Sequence, residues 1–480
     1  MIDRRIASAL ALGVVTGIAC ADPNPSTLNQ KCFADENCDD GQLCDKASGD
    51  DAGFCRSADD VVDGSTGTMV SMTEGIGTSG PSSGTDSTMP PDPTLSTGAT
   101  DPATTSGVGD ATDSGESDAG TETGTTGGEL GCDGVPVPDV VSYAAVNTIA
   151  VGNNPQGAAL GDLDGDGALD LAVSSRDDGT LRTFLGDGVG NLAPAETAPA
   201  GAFPGRVALG AIADATVDAV VEQDVAGTVN RMQGAGNGDF GNSQTVGDTL
   251  AAIELVDVDG DGVLDLLGAN VGLTVSLGTP VAETFGAPIA FPTGLSGNGG
   301  EIATGDLDGN GTLDVVVAGG FNFAVMLGNG AGNFAAQAPR AVAGLASDVA
   351  IGDFDGNGDG DVVVVTYGGG TDAVRVFLGN GDGTFAPAPI VLGTQTSPFL
   401  VEVGDFDFDG DDDIFVGHAS GGLGITVSNG DGSFAPQAVI DCDGNGNLRG
   451  LALGDLNGDC TLDVVSASSS GNVACVWLSN

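Results

Sequence analysis

Basic residues are scarce in this sequence. The 480 residues include 12 lysines and arginines against 68 aspartates and glutamates, which gives a formal net charge of −56. The phosphate backbone of a nucleic acid would repel such a chain, and so would an anionic membrane surface. We therefore expect no nucleic-acid partner, and contact with a membrane only through a lipid anchor. Small cations are the partners that this charge favours, although acidity can also serve solubility alone.

Histidine, tryptophan and tyrosine are nearly absent as well. His418 is the only histidine, so a Ser-His-Asp triad would have to use it, and a site with several histidine ligands to zinc would fail. Trp477, Tyr143 and Tyr367 are the only residues of their types, which leaves little aromatic surface for binding carbohydrate. We expect His418 to be a solvated residue at the end of a strand and Trp477 to be a core residue.

One apolar run near the start has the form of an export signal. Residues 6–19 follow Arg4 and Arg5 and, at 14 residues, are too few to span a bilayer. Cys20 stands where the acylated cysteine of a lipoprotein would stand, whereas Ala19-Cys20-Ala21 also fits ordinary signal peptidase. We expect residues 1–20 to be a signal, and the protein to be a cell-surface or outer-membrane lipoprotein, anchored at Cys20, or a secreted protein.

Two further segments precede the bulk of the chain. Residues 21–56 hold Cys32, Cys38, Cys44 and Cys55 but few large apolar residues. They are predicted to form a small two-disulfide knot of open connectivity; zinc is the weaker alternative because no CxxC pair supports it. Residues 57–131 are dominated by Ser, Thr, Gly, Asp and Pro without apolar periodicity, which predicts a disordered linker.

From about residue 139 the sequence repeats itself, and the repeat predicts the fold. A decayed copy of the repeated motif, GAIADATVDAVV, begins at Gly210, and the copies start 46 to 52 residues apart. The six acidic copies are GDLDGDGALDLAV from Gly161, VDVDGDGVLDLLG from Val256, GDLDGNGTLDVVV from Gly305, GDFDGNGDGDVVV from Gly352, GDFDFDGDDDIFV from Gly404 and GDLNGDCTLDVVS from Gly454.

Each period carries four short strands. One precedes the acidic motif, one follows it, and a hairpin such as FAVMLGNGAGNFAAQ supplies two more, the last opening on an aromatic residue. Four strands per period without helical periodicity are typical of propeller blades. The last repeat ends after its third strand, and residues 143–151 resemble a missing fourth one. We therefore predict an all-β, seven-bladed propeller of four-stranded blades over residues 132–480, its ring closed by this N-terminal strand.

Four cysteines fall at the predicted seam of the ring: Cys132, Cys442, Cys460 and Cys475. A disulfide from Cys132 to Cys475 or to Cys442 would staple the closing strand to the last blades. These two bonds are the candidates, and the pairing of the four cysteines stays open.

The acidic motifs have the spacing of calcium loops. In the first copy, carboxylates stand at loop positions 1, 3, 5 and 9, and a glycine at position 6 permits a sharp turn. Calcium takes six to eight oxygen ligands, and alternate residues of a coiled loop can direct their oxygens to one centre, with position 7 giving its backbone carbonyl. Six copies in register make plain Asp/Gly turns the weaker alternative, and magnesium prefers fewer protein ligands. We predict about six calcium sites, with the second blade empty.

The predicted ligands occupy positions 1, 3, 5, 7 and 9 of each loop. They are Asp162, Asp164, Asp166, Ala168 and Asp170; Asp257, Asp259, Asp261, Val263 and Asp265; Asp306, Asp308, Asn310, Thr312 and Asp314; Asp353, Asp355, Asn357, Asp359 and Asp361; Asp405, Asp407, Asp409, Asp411 and Asp413; and Asp455, Asn457, Asp459, Thr461 and Asp463.

These runs and the LGNGDGTF-type hairpins resemble the FG-GAP and VCBS repeats, the calcium-loop blades of the integrin alpha-subunit head. The resemblance covers about 340 of the 480 residues. It implies a propeller that holds calcium between the first two strands of its blades, on one face. Many bacterial relatives resemble exported adhesion or recognition proteins, which implies a surface module that binds an unknown protein or glycan at one rim. The inserted metal domain of integrins is absent, so binding by that route does not carry over.

Two alternatives to a monomeric, non-catalytic binding module stay open. The protein could be a structural or assembly component of the cell envelope, or a propeller enzyme acting on polysaccharide or phosphoester. Paired carboxylates could serve a glycosidase, but nearly all of them here stand at metal-ligand spacing. We expect calcium to have a structural role and the fold to be lost in chelator.

Overall fold

The computed structural model describes residues 142–479 and three strands between residues 31 and 57. Short gaps within the main part fall at 145, 213–214, 224–226, 249–251, 271, 280–283, 296–299, 369, 371, 443 and 445. The predicted signal, most of the cysteine-rich segment, the linker and Cys132 lie outside the described residues and stay predictions. The described residues contain strands and turns but no helix, hence none long and apolar enough to cross a membrane.

A small antiparallel sheet belongs to a separate unit of the chain, residues 22–126. Its strands pair in the order β1-β3-β2, and Cys44 is the register partner of Cys55. The strands are β1 (Lys31–Cys32), β2 (Gln42–Asp45) and β3 (Gly53–Ser57).

The remaining strands form seven antiparallel blades, which follow one another along the chain as in a propeller, and a separate two-stranded ribbon. The closing strand is β4 (Asn147–Ala150). Blades 1 and 2 comprise β5 (Pro155–Gly161), β6 (Asp170–Ser175), β7 (Thr180–Gly186) and β8 (Leu192–Pro199), then β9 (Pro204–Gly210), β10 (Asp218–Gln223), β11 (Thr228–Gly234) and β12 (Phe240–Asp248). Blade 3 comprises β13 (Ala252–Val256), β14 (Asp265–Ala269), β15 (Leu273–Ser276), a ribbon of β16 (Gly278–Thr279) and β17 (Thr284–Phe285), and β18 (Ile289–Phe291).

Blades 4 to 7 repeat the arrangement. Blade 4 comprises β19 (Glu301–Gly305), β20 (Asp314–Gly319), β21 (Asn322–Gly328), β22 (Phe334–Ala336) and β23 (Arg340–Ala341). Blade 5 comprises β24 (Leu345–Gly352), β25 (Asp361–Tyr367), β26 (Ala373–Phe377) and β27 (Ile390–Leu392). Blade 6 comprises β28 (Pro398–Gly404), β29 (Asp413–His418), β30 (Gly422–Thr426) and β31 (Ala438–Asp441), and blade 7 comprises β32 (Leu448–Gly454), β33 (Asp463–Ser468) and β34 (Val473–Trp477).

The ring closes as the sequence predicts. Strand β4 pairs antiparallel with β34, with Ile149 opposite Ala474, and supplies the fourth strand of blade 7. The first strands of neighbouring blades contact one another all round the ring, from β5 to β9 and on through β32 back to β5. They therefore line the axis. Trp477 on β34 is buried, as expected for a core residue.

The core lies between adjacent blades. The second strands of six blades are buried at every residue: β6, β10, β14, β20, β29 and β33. Val173 of blade 1 packs in one cluster with Val465 of blade 7, and Val221 of blade 2 packs in another with Ala172 of blade 1. Each blade thus covers the face of the next, which explains why these strands are runs of apolar residues rather than alternating ones.

The hairpin strands differ from the prediction in blades 5 and 6. There the aromatic residues Phe385 and Phe434 make only isolated bridges, and the fourth strands begin later, at Ile390 and Ala438. Prolines such as Pro387 follow the aromatic residue and cannot donate to a strand ladder. The turn is where the sequence placed it, but the pairing resumes only beyond the prolines.

The disulfide at the seam joins different partners from those expected. Cys442, after β31 of blade 6, is bonded to Cys475 on β34 of blade 7, with Cα atoms 5.7 Å apart. The prediction of a bond from Cys132 to either of them is therefore wrong, because both are already paired. The loop after β31 passes against the third strand of blade 7, within bridging distance. Cys460 is disulfide-bonded too.

Candidate metal centres in the blade loops

The loop between the first and second strands is coiled around its own first carboxylate. In blade 1, Asp162 accepts the N–H of Gly165 on Oδ1 at 2.7 Å and that of Gly167 on Oδ2 at 3.0 Å. The two glycines have φ angles of 80° and 89°, in the left-handed region that favours glycine. This coil turns alternate side chains toward one centre, and the other acidic loops repeat it.

Position 9 is a buried aspartate that ties each loop to its blade. In blade 1, Asp170 Oδ2 accepts the N–H of Leu163 at 2.7 Å, and Oδ1 accepts that of Gly186, at the end of the third strand, at 2.7 Å. Both bonds recur in blades 3 to 7, on Asp265, Asp314, Asp361, Asp413 and Asp463. Any ion bound at this carboxylate would be coupled directly to three strands of the blade.

Carboxylates from positions 1, 3 and 9 converge in five blades. In each, one oxygen from each side chain lies within 4.8 Å of the others. The triads are Asp162, Asp164 and Asp170; Asp257, Asp259 and Asp265; Asp306, Asp308 and Asp314; Asp353, Asp355 and Asp361; and Asp405, Asp407 and Asp413. In the last two, Oδ1 of Asp355, Asp405 and Asp407 is buried and accepts no hydrogen bond from the described residues. These orphaned oxygens and all-carboxylate donor sets fit a hard divalent cation.

Burial makes the carboxyl groups of position 9 reluctant to ionise. It raises the pKa of Asp413 to about 7, with smaller contributions from the neighbouring Asp407 and Asp405. It likewise raises the pKa of Asp265, Asp314 and Asp361 to about 6. Without a counter-ion, Asp413 is half protonated near pH 7 and the other three near pH 6, and a bound cation would displace those protons.

The side chain at position 5 stabilises the turn of the loop and is not part of the carboxylate triad. Its side-chain oxygen accepts the N–H of position 7 in every acidic loop, for example from Ala168 to Asp166 Oδ1 at 2.8 Å and from Thr312 to Asn310 Oδ1 at 2.7 Å. The same bond forms on Asp261, Asn357, Asp409 and Asp459. The remaining positions of the predicted ligand sets, including the carbonyls of position 7, stay predictions.

Blade 6 extends its loop toward blade 5. Asp353 N–H donates to Asp412 Oδ2 at 2.9 Å, and Asp412 N–H donates to the carbonyl of Asp353 at 3.1 Å. Asp411 also points to this side, because its carboxylate would touch a Cβ placed on Gly356 of blade 5. Phe408 adopts a φ of 61° where the other loops have glycine.

Blade 7 departs from the pattern at two positions. Cys460 adopts a φ of 67° at position 6. Asn457 takes the place of the position-3 carboxylate, and its amide donates to Asp459 at 3.0 Å. Among the described residues, its carboxylates form no triad of the kind seen in the other acidic loops.

Blade 2 keeps the ninth aspartate but surrounds it differently. Asp218 Oδ1 accepts the N–H of Gly234 at 2.8 Å, as in the other blades. Its Oδ2 instead accepts hydrogen bonds from Arg231 Nε at 2.9 Å and Nη2 at 2.7 Å, and the two side chains are only 1% and 6% exposed. The position of Arg231, three residues before Gly234, holds Thr, Val or Ile in the other six blades. The sequence analysis missed this pair, and its signal was an arginine within a strand of a chain poor in basic residues.

The only histidine is not solvated. His418 ends β29, as predicted, but it is fully buried, with Nδ1 2.9 Å from the carbonyl of Gly422 and Nε2 2.7 Å from the hydroxyl of Thr394. The expectation of a solvated residue is wrong, because Thr394, in the segment between β27 and β28, packs against the imidazole. Burial lowers the pKa of His418, so the ring is neutral, with its proton on the nitrogen that faces the carbonyl.

The acidic loops and the strands that follow them match a known repeat family. A model of the FG-GAP-like repeat matches residues 306–364, 353–416 and 405–466. Each match begins at position 1 of one acidic loop and ends just beyond position 9 of the next. The chain carries FG-GAP-like repeats in a seven-bladed β-propeller. In FG-GAP terms, one repeat here is a loop, the second to fourth strands of its blade, and the first strand and loop of the next blade.

Several solved structures are similar to this chain at low sequence identity. A complex of BBS1N with ARL6DN is 12% identical, with a TM-score of 0.50, over 70% of this chain and 96% of the other. An Agrocybe aegerita lectin that recognises non-reducing terminal N-acetylglucosamine is 20% identical, with a TM-score of 0.47, over 71% and 99%. Virginiamycin B lyase from Staphylococcus aureus is 11% identical, with a TM-score of 0.47, over 70% and 99%. No curated protein matches the sequence.

Proposed function

We propose that this FG-GAP-repeat propeller is an exported calcium-binding protein that acts as a binding or adhesion module at the cell surface. The observation that carries the proposal is the carboxylate triad repeated in register in five blades. Each triad follows the first strand of its blade, so all of them lie at one end of the ring. We refer to these acidic loops as the rim loops.

Calcium is the ion that suits the rim loops best. Their donors are carboxylate oxygens, with no histidine or cysteine in any triad, which favours hard cations over zinc or copper. Coiled loops with several carboxylates meet calcium's preference for many oxygen ligands, whereas magnesium retains most of its water. Bound calcium would be structural, because the aspartate at position 9 connects the loop to the second and third strands of the blade.

The side chains that the propeller offers favour binding over catalysis. The only imidazole is buried and engaged on both nitrogens, so it is poorly placed to serve as a base. The triads supply many carboxylates, but these stand where they would coordinate an ion. The rim with its rigid loops is left as the surface for a protein or glycan ligand.

The function is tested by adhesion of beads coated with the full chain to cells and to a glycan array, in calcium, in magnesium and in chelator. We expect binding in calcium that is lost in chelator and weakened in the Asp308→Asn/Asp314→Asn variant. Glu196→Gln, on the outer strand of blade 1, is the control and should bind like wild type. Binding that persists unchanged in chelator would contradict the calcium-held rim, and absence of binding in calcium would favour an assembly role in the envelope.

A further inference from the structure

Charged side chains are buried on the first strands of five consecutive blades. None of them is more than 7% exposed. Because the first strands line the axis, four acidic groups and one arginine surround it. The residues are Arg206 on β9, Glu254 on β13, Glu301 on β19, Asp348 on β24 and Glu402 on β28.

Two of these residues occupy equivalent positions. Glu254 and Glu402 each stand two residues before the end of the first strand of their blade. Blades 3 and 6 are three steps apart in a ring of seven, so the two residues lie on nearly opposite sides of the axis. The equivalent residue in the other five blades is alanine: Ala159, Ala208, Ala303, Ala350 and Ala452. This layer of the propeller therefore consists of two glutamates and five small side chains.

The other charged groups near the axis have partners. Arg206 forms an ion pair with Glu301. Asp348 accepts the N–H of Val401 at 2.7 Å and that of Val349 at 2.9 Å. Arg206 and Glu301 thus offset each other's charge, and backbone N–H groups stabilise the carboxylate of Asp348.

Each of the two glutamates has a buried oxygen without a hydrogen-bond partner among the described residues. Glu254 Oε1 accepts the hydroxyl of Thr304 at 2.6 Å. Glu254 Oε2 and Glu402 Oε1 are buried and accept no hydrogen bond from the described residues. Burial, then Asp348, then Glu254 raise the pKa of Glu402, so the two glutamates share one electrostatic environment. A buried carboxylate without a compensating partner is strongly unfavourable, so this pair calls for a positive counterpart.

We propose that Glu254 and Glu402 bind a divalent cation on the axis of the propeller, separately from the rim loops. Their carboxylates and the hydroxyl of Thr304 are oxygen donors of the kind that hard cations take. All three residues of this site lie on first strands, outside the rim loops, so ion binding there does not require calcium in those loops.

The test counts ions in the full chain. Protein stripped by chelator is equilibrated with Ca²⁺ alone or with Mn²⁺ alone, freed of unbound ions, and analysed for metal per chain. We expect Glu254→Gln/Glu402→Gln to bind one ion fewer than wild type. Glu196→Gln should bind the wild-type number, and the rim variant Asp308→Asn should lose its own ion additively with the axial pair. If the double variant does not fold, as judged by circular dichroism, each single variant is measured instead.

The outcomes separate the axis from the rim. Equal counts for wild type and the axial variants would overturn the axial site, whatever the rim binds, and would assign protons to the two glutamates. An ion lost from the axial variant but not from Asp308→Asn would support the axial site and count against the rim loops. A wild-type chain that binds no divalent ion would overturn both.

Discussion

The guanidinium of Arg231 hydrogen-bonds the same oxygen of Asp218 that accepts a loop N–H in the other six blades. The loop of this blade is one residue shorter, and Ala211 stands at position 1. Blade 2 thus holds the positive charge of an arginine where the other blades offer carboxylates that a cation from solution could bind. The expectation that this blade binds no calcium stays a prediction, and the ion pair gives it a physical reason.

Arg231→Met should destabilise the propeller by about 3–5 kcal/mol, because it leaves a buried carboxylate without its charge partner. The loss should be the same in calcium and in chelator, as measured by urea unfolding of the full chain. Arg182→Met is the matched control. Its partner Asp178 is 3.5 Å away and both side chains are partly exposed, so the change should be below about 1 kcal/mol. A loss in Arg231→Met that appears only in calcium would contradict this account.

Asp308→Asn and Asp314→Asn should separate ion binding from backbone capping in blade 4. Asp308 accepts one long bond, from Asn310 N–H at 3.2 Å, which an amide oxygen can keep. Asp314 accepts two, from Leu307 at 2.9 Å and Gly328 at 2.7 Å, one on each oxygen, and asparagine can keep only one.

We therefore expect Asp308→Asn to reduce the stabilisation by calcium and to leave stability in chelator unchanged. Asp314→Asn should lower stability in both conditions, by about 1–3 kcal/mol in chelator. Unfolding in urea with and without calcium measures both variants. Identical behaviour of the two variants would argue against distinct roles for positions 3 and 9.

Calcium should stabilise the folded state, whereas a rise in pH without calcium should destabilise it. Burial raises the pKa of Asp265, Asp314 and Asp361 to about 6, above the ordinary value of 3.8. In chelator the folded chain holds protons that the unfolded chain releases, so the stability from these groups is present below about pH 4 and is lost as the pH rises through about 6. Calcium needs the ionised form. Its stabilising effect should be small near pH 5 and large near pH 7.5, and an equal rise in Tm at both values would contradict the prediction.

Breaking the Cys442–Cys475 bond should loosen blades 6 and 7. The bond closes a loop with a sequence separation of 33 residues. Constraint of the unfolded chain by a loop of that length corresponds to about 3–4 kcal/mol. The Cys442→Ala/Cys475→Ala variant should lose about that much, as measured by thermal unfolding under non-reducing conditions. Reductant should then cause little further loss of stability in this variant. A large further loss would show that another disulfide also stabilises the fold.

Repetition made much of the fold predictable. The spacing of the motifs set the number of blades, and the incomplete last repeat together with residues 143–151 predicted the strand that closes the ring. The triads were predictable for the same reason, since each loop is local and its glycines specify the coil. Positions 1, 3 and 9 meet because the loop folds on itself, without help from distant residues.

Contacts between distant residues were not predictable. Arg231 reaches Asp218 from the third strand, and Glu254 and Glu402 belong to blades three steps apart, so neither pair has a sequence spacing that identifies it. The signal for the glutamates was an acidic residue within an apolar first strand, as in AIELV. The partner of Cys475 and the burial of His418 depend on how loops of neighbouring strands pack, which no repeat encodes.

The most direct test of the account is thermal unfolding of the metal-stripped full chain while calcium or magnesium is added, with ions counted at saturation. A rise in Tm that is large for calcium and small for magnesium, with at least the five triads filled, is the predicted result; a hundredfold excess over Kd would contribute about 2.7 kcal/mol per site. An unchanged Tm after complete removal and return of calcium would contradict the central claim, and the rim loops would then be solvated turns of an acidic scaffold.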